Sequence, residues 1–275
     1  MNFIMIVKAI LLGLVEGLTE FAPVSSTGHM IIVDDMWLKS EVFLTKYVAN
    51  TFKIVIQLGS ILAVIVVFRN RFADLLGIKS RKNHARDEKN LKISQVIAGL
   101  IPAGILGVLF EDYIDEYLFS IQSVLIGLGS GAVLMIAADL LGPKTARAET
   151  VDQISYKQAL LVGLFQCFSL WPGFSRSGST ISGGVFAGMS HRAAADFTFI
   201  MAVPTMAGAS GLSLLKNWEY FTIEALPFFI AGFISAFIFA LLSIKYFLKL
   251  ISRIKLIPFA LYRFALVIVI WLIYF

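Results

Sequence analysis

Residues Ala9 to Ile31 read AILLGLVEGLTEFAPVSSTGHMI, and residues Ala159 to Ile181 read ALLVGLFQCFSLWPGFSRSGSTI. One motif has been used twice. At an offset of 150 with no gap, Ala9 falls on Ala159, Leu11 on Leu161, Gly13 on Gly163, Leu14 on Leu164, Ser25 on Ser175, Gly28 on Gly178 and Ile31 on Ile181. Each copy runs from an apolar helical pattern into Pro or Gly and then into small hydroxylated residues. Apolar segments broken at matching points of two halves point to a central site in a membrane protein built from repeats. The copies differ where chemistry can differ: Glu16, Glu20, Ser26 and His29 in the first stand against Gln166, Leu170, Arg176 and Ser179 in the second.

Composition bounds the setting. An apolar content of 58 % with only 15 % charged residues excludes an ordinary soluble surface. The net charge of +5 does not imply nucleic acid as a partner, because residues 69 to 92 alone hold eight Lys/Arg against three acids. That cluster reads as a cytoplasmic loop under the positive-inside rule. The single Cys167 lies in an apolar run and offers neither an intramolecular disulfide nor metal-ligand spacing. The N-terminal apolar run is broken by Lys8 and followed by Glu16 and Glu20, which does not match a cleavable signal peptide.

Taken in order, residues 3 to 20 have helical periodicity but too short a continuous apolar run to span, and Pro23 with SSTGH stops it. The expectation is a re-entrant hairpin whose return arm covers about 28 to 35. Spans follow near 48 to 68, 93 to 110 and 120 to 141, the last carrying the small-residue run GLGSG at 127 to 131. A second broken segment covers 158 to 190, with spans near 193 to 214, 225 to 248 and 257 to 275. The expected fold is an all-α polytopic membrane protein, one domain of six transmembrane helices and two re-entrant helical hairpins. Three spans separate the two copies, so they enter from opposite faces, and residues 1 to 142 and 158 to 275 form an inverted repeat. The loops 69 to 92 and 143 to 157, with Lys249, Arg253 and Lys255, fall on the cytoplasmic side, while the acids at 111 to 116 fall outside. Trp37, Trp218, Tyr220, Tyr274 and Phe275 read as interfacial anchors.

Glu16 and Glu20 lie four apart and share a helical face at a depth where carboxylates need pairing, protonation or a cation. They are open to two roles, holding a divalent cation or serving as acid or base. Ser25, Ser26, Thr27, Gly28 and His29 bring hydroxyls, a flexible backbone and an imidazole to the turn, where backbone N–H groups can meet an anion. His29, three residues from Ser26, is the expected base for that hydroxyl or for a water that Ser26 orients, with a metal-bound Glu20 as the competing candidate. In the second copy, Arg176 stands among Gly173, Ser175, Ser177 and Thr180, and its planar fork matches phosphate oxygens. If the two tips meet, one pocket holds acids, nucleophile, base and phosphate clamp. His84 and His191 read as solvated or interfacial, and Asp139, Asp196 and Lys53 interrupt apolar runs without an evident task.

With EGLTEF at 16 to 21, PVSSTGH at 23 to 29, PGFSRSGST at 172 to 180 and PFALYRF at 258 to 264, the chain resembles, end to end, the undecaprenyl-diphosphate phosphatases of the bacitracin-resistance type. The resemblance implies an integral bacterial plasma-membrane hydrolase that converts a C55 polyprenyl diphosphate to the monophosphate and inorganic phosphate. Such an enzyme recycles the lipid carrier of cell-wall synthesis and confers bacitracin resistance. Carried over by motif, the paired glutamates fall on Glu16 and Glu20 as catalytic and metal residues, the nucleophile on Ser26, the histidine on His29 and the phosphate-binding arginine on Arg176. Ser25, Thr27, Gly173, Ser175, Ser177 and Thr180 are expected to bind the substrate phosphates. The implied cofactor is a divalent cation, Mg2+ or Ca2+, and the implied site opens to the external side. Partners are the polyprenyl diphosphate and the bilayer, with a homodimer left open. The competing class is a transporter or flippase of a phosphorylated lipid, which shares broken helices but has no need of a nucleophile.

Overall fold

A computed structural model describes residues 3–78, 90–118, 120–216, 219 and 223–275. These residues are helical throughout apart from turns and a single bridge between Ala148 and Met189. Among the described residues five helices are long and apolar enough to cross a membrane, with their apolar windows in Val48–Val67, Ile121–Leu141, His191–Lys216, Leu226–Ile254 and Ile257–Tyr274. The sixth expected span is also a helix, Ile93–Leu109, but at 17 residues it is shorter than the other five. The chain is thus an all-α, multi-pass membrane protein. Its outer surface agrees: Ile230, Ile234, Ile238 and Leu242 form an exposed stripe at four-residue spacing, a face suited to lipid rather than water.

The first broken segment is a helix–turn–helix. Helix α1, Phe3–Thr19, ends one turn before Pro23, which has no N–H to continue the ladder. After the turn, α2 (Ser26–Met30) runs directly into a wider π-helical segment, Ile31–Leu38, so the return arm is longer than 28 to 35. Asp34 closes this arm: its carboxylate accepts from Ser40 N and Ser40 Oγ at 2.9 and 2.7 Å, and Lys53 Nζ stands 3.0 Å away. A short helix, α3 (Ser40–Phe43), leads into α4, Lys46–Val67. Next come α5 (Arg69–Leu75), α6 (Ile93–Leu109), α7 (Glu111–Tyr117) and α8 (Ile121–Leu141). The acids at 111 to 116 therefore sit on a short helix rather than in an open loop.

The second broken segment has the same plan. Helix α9, Tyr156–Gln166, starts with a Ser155/Gln158 capping box and tightens to a 3-10 turn at Cys167–Leu170. Helix α10, Arg176–Phe186, returns, and α11 (His191–Lys216), α12 (Leu226–Ile254) and α13 (Ile257–Tyr274) complete the chain. Each first arm is seated by small residues on a helix from the other half. Gly13 lies so close to α12 that an added Cβ would strike the Gly232 carbonyl, and Gly163, its counterpart at the 150 offset, lies equally close to the Gly99 carbonyl of α6. Ser235 and Ser243 of α12 then donate to the Ile10 and Leu18 carbonyls of α1 at 2.7 and 2.9 Å. Between lipid-bathed helices, close backbone approach and such hydrogen bonds replace hydrophobic burial as the source of adhesion.

Candidate active site

Two serines make the tips. Ser25 and Ser175 have φ of 69° and 73°, a region L-residues rarely occupy, which costs about 1–3 kcal/mol each. Each holds this conformation while its Oγ caps the following helix, Ser25 accepting from Gly28 N at 3.4 Å and Ser175 from Gly178 N at 3.2 Å. The sharp reversal presents the next residue as the first of a helix. In the first half that residue is Ser26 and in the second Arg176.

These two residues meet on one carboxylate. Ser26 Oγ donates to Glu20 Oε2 at 2.7 Å, and Arg176 Nη2 donates to Glu20 Oε1 at 3.2 Å. Ser177 Oγ donates to the Ala22 carbonyl at 3.1 Å, tying tip to tip a second time. Arg176 Nη1 reaches the Thr198 carbonyl at 3.4 Å, and the guanidinium lies 5.9 Å from the Phe21 ring centre. The Arg176 and Glu20 side chains are only 12 % and 9 % exposed, so their mutual attraction, and that of either for a ligand, is little screened. They line a cavity of about 250 Å³, shared with Ser25, Ser26, Thr27, Gly173, Ser175 and Gln57.

Glu16, one turn before Glu20, is buried and lines an adjoining cavity of about 450 Å³ with Ser26, Thr27, Asn50, Lys53 and Gln57. Ser26, Thr27 and Gln57 border both spaces. The oxygens around the glutamate pair, from carboxylates, amides and hydroxyls, are hard donors of the kind Mg2+ or Ca2+ takes, and they share the two cavities with the cations Arg176 and Lys53. Among the described residues no three Asp, Glu, His or Cys converge, so a cation at this pair would complete its shell from amide, hydroxyl or phosphate oxygens.

Three expected site residues are placed elsewhere. His29 is not brought to Ser26: its Nδ1 lies 2.7 Å from the Ser25 carbonyl and its Nε2 lies 2.7 Å from the Tyr262 hydroxyl. With Nδ1–H donated to a carbonyl, Nε2 is left to accept from Tyr262, and the two rings stack 5.6 Å apart. The single proton of Ser26 goes to Glu20 instead. Ser177 is spent on Ala22, and Thr180 donates to the Arg176 carbonyl at 2.8 Å and accepts from Thr198 at 2.9 Å. Neither lines the cavity; both brace the helix that carries Arg176.

The unassigned charges find structural tasks. Lys53 pairs with Asp34 at 3.0 Å and Asp35 at 3.4 Å. Asp139 meets His191 at 2.6 Å and accepts the N–H groups of Leu256 and Ile257 at the start of α13. Asp196 pairs with Arg192 one turn away. His84, Trp218 and Tyr220 lie outside the described residues, while Trp37 and Phe275 are exposed as anchors would be. Sequence reading passed over Asp34 and Arg263, yet a signal existed for each. A lysine inside the α4 span demands an acid, and an arginine inside the α13 apolar run demands acceptors. Arg263 is fully buried and finds four, the carbonyls of Gly127, Gly173 and Phe174 and the Met135 sulfur.

Comparison with known proteins extends over the same residues. The family model described as Bacitracin resistance protein BacA matches residues 9–269. The chain is 73 % identical over 275 residues, all of both chains, to the Undecaprenyl-diphosphatase of Geobacillus sp. (strain WCH70). It is 67 % identical over 268 residues to that of Exiguobacterium sibiricum, and 60 % identical over 268 residues, 96 % of each chain, to that of Bacillus subtilis (strain 168).

Proposed function

The chain belongs to the bacitracin resistance protein BacA family, and from that membership we infer that it is an undecaprenyl-diphosphatase working at the Glu20, Ser26 and Arg176 cavity. The reaction hydrolyses undecaprenyl diphosphate to undecaprenyl phosphate and inorganic phosphate, which recycles the lipid carrier and underlies bacitracin resistance. The carrying observation is the 2.7 Å hydrogen bond from Ser26 to a carboxylate that also holds Arg176. In the mechanism we favour, the terminal phosphoryl group enters beside Arg176, whose fork takes two of its oxygens as their charge is redistributed. Ser26 Oγ attacks that phosphorus and passes its proton to Glu20 Oε2. The bridging P–O bond breaks, and undecaprenyl phosphate leaves with its tail in lipid. Glu20 returns that proton to the departing undecaprenyl phosphate, and as a carboxylate again it deprotonates a water that attacks the phosphoserine, the proton passing back to Ser26 Oγ as inorganic phosphate leaves. His29 acts on the tip rather than on the proton, holding the Ser25 turn to Tyr262.

A divalent cation fits the Glu16/Glu20 pair, where it would offset phosphate charge. The test is phosphate release from undecaprenyl diphosphate by the purified protein as Mg2+ or Ca2+ is titrated. Glu16→Gln, which removes a carboxylate but leaves Ser26, Glu20 and Arg176 in place, should shift half-activation to at least about tenfold higher metal. Equal metal curves for parent and variant would make Glu16 a structural acid.

The same reading treats the two halves as an inverted repeat whose broken segments are re-entrant, with the cavity opening to the external side. Its support is the paired φ of 69° and 73° at Ser25 and Ser175 and the reciprocal seating of Gly13 on α12 and Gly163 on α6. A Cys167→Ser background with Asp112→Cys or Lys144→Cys should then react with an impermeant thiol reagent from outside only at position 112. External labelling at 144 would reverse the orientation. Lipid transport alone gives no reason to hold a serine proton on a carboxylate, so hydrolysis is the reading that accounts for Ser26.

A further inference from the structure

Arg263 is 0 % exposed and the largest of the fully buried side chains. Its Nη1 donates to the Phe174 carbonyl at 2.9 Å, and its Nη2 donates to the Gly173 and Gly127 carbonyls at 2.8 and 3.1 Å. Its Nε has no partner among the described residues. A guanidinium is a costly way to fill a hole in a membrane protein, and an apolar side chain of similar volume would do so at less cost. What the apolar side chain would not do is hold two successive carbonyls of the turn that presents Ser175 and Arg176.

The peptide unit makes that hold consequential. In a trans peptide a carbonyl and the N–H of the following residue point in opposite directions. Drawing the Gly173 carbonyl toward Arg263 turns the Phe174 N–H the other way, where it closes the turn on the Trp171 carbonyl at 3.1 Å. Drawing the Phe174 carbonyl toward Arg263 turns the Ser175 N–H away from Arg263, and Gly173, Ser175 and Arg176 all line the cavity. We propose that Arg263 is a positioning residue for the hydrolysis: it clamps the 173–174 carbonyls so that the Ser175 N–H stands preset as a donor to the phosphoryl oxygens that Arg176 holds. The donor is then aligned before substrate arrives, which is the condition under which it lowers a barrier most. The proposal rests on the cavity being the phosphate site.

Two glycines of α8 make the clamp possible. A Cβ on Gly127 would strike the Pro172 carbonyl, and one on Gly131 would stand 2.5 Å from both Arg263 Nη2 and the Phe174 carbonyl. Gly131→Ala is therefore a wedge between guanidinium and carbonyl that keeps the charge and raises the helix propensity of α8.

The experiment measures kcat, KM for undecaprenyl diphosphate, inhibition by orthovanadate and thermal melting for Arg263→Gln, Arg263→Lys and Gly131→Ala. Orthovanadate mimics the phosphoryl group in transfer and carries no lipid tail. Arg263→Gln should lower kcat about 100-fold and weaken orthovanadate at least about tenfold, as losing one preset donor does elsewhere. KM for the lipid should stay within about threefold, because tail binding is untouched. Gly131→Ala should move the same two quantities in the same direction, and Arg263→Lys, which reaches fewer carbonyls, should recover part of the loss. If Arg263→Gln does not fold, Gly131→Ala decides. Unchanged kcat and unchanged orthovanadate inhibition in the folded variants, or a loss of kcat that only tracks the folded fraction, overturns the proposal. The underlying site reading fails separately, through full turnover in Arg176→Lys and Ser26→Ala.

Discussion

Arg176→Lys should lower kcat by about 100- to 1,000-fold while KM for undecaprenyl diphosphate changes by no more than about threefold. Lysine keeps the positive charge, so a simple need for a cation would leave turnover near the parent value. What it loses is the fork. Arg176 uses Nη2 on Glu20 at 3.2 Å and Nη1 on Thr198 at 3.4 Å, and a planar group of five donors can keep such contacts while turning two N–H bonds to phosphate. An ammonium is a single point of donation on a flexible stem. It cannot hold Glu20 and span two phosphoryl oxygens at once, and the deficit falls in the transition state, where charge on those oxygens must be held in place. Phosphate release by purified variants across a range of lipid concentrations separates the two constants. Parent-like kcat in the lysine variant would mean that the guanidinium belongs to the Glu20 bridge and not to substrate.

Ser26→Ala and Glu20→Gln should each reduce hydrolysis to the uncatalysed background, a loss of at least about 1,000-fold. The two variants fail for linked reasons. Without the hydroxyl there is no nucleophile, and without the carboxylate its proton has nowhere to go, since the amide of glutamine is a poor base of the same shape. The linkage gives a second readout: acid quenching of the parent during turnover of labelled substrate should trap phosphate on Ser26, and neither variant should show it. Rapid hydrolysis by Ser26→Ala with no trapped phosphoserine in the parent would assign the attack to water. His29→Gln supplies the contrast. Its imidazole is engaged by Ser25 and Tyr262, so losing it should disturb the tip without removing the phosphoserine.

The sequence by itself determined the fold class, the two broken segments and most of the helix ends to within a few residues. These depend on local quantities: apolar run length against bilayer thickness, Pro23 and the Gly/Ser turns, and serines at N-caps. The repeat at offset 150 also put Ser26 and Arg176, which the two tips bring together on Glu20, at the same position of one motif. The proton's destination was not legible. Spacing puts His29 one turn from Ser26 on any helix, but a serine at φ 69° just before it sets which way that helix faces, and nothing in the residue type announces such an angle. The result is an imidazole turned to Tyr262, which is 233 positions along the chain, and a hydroxyl turned to Glu20. Asp34 with Lys53, Asp139 with the α13 amides, and Arg263 with the 173–174 carbonyls were hidden for the same reason. A charge inside an apolar run states that it needs a partner, and only the packing of distant helices decides which partner that is.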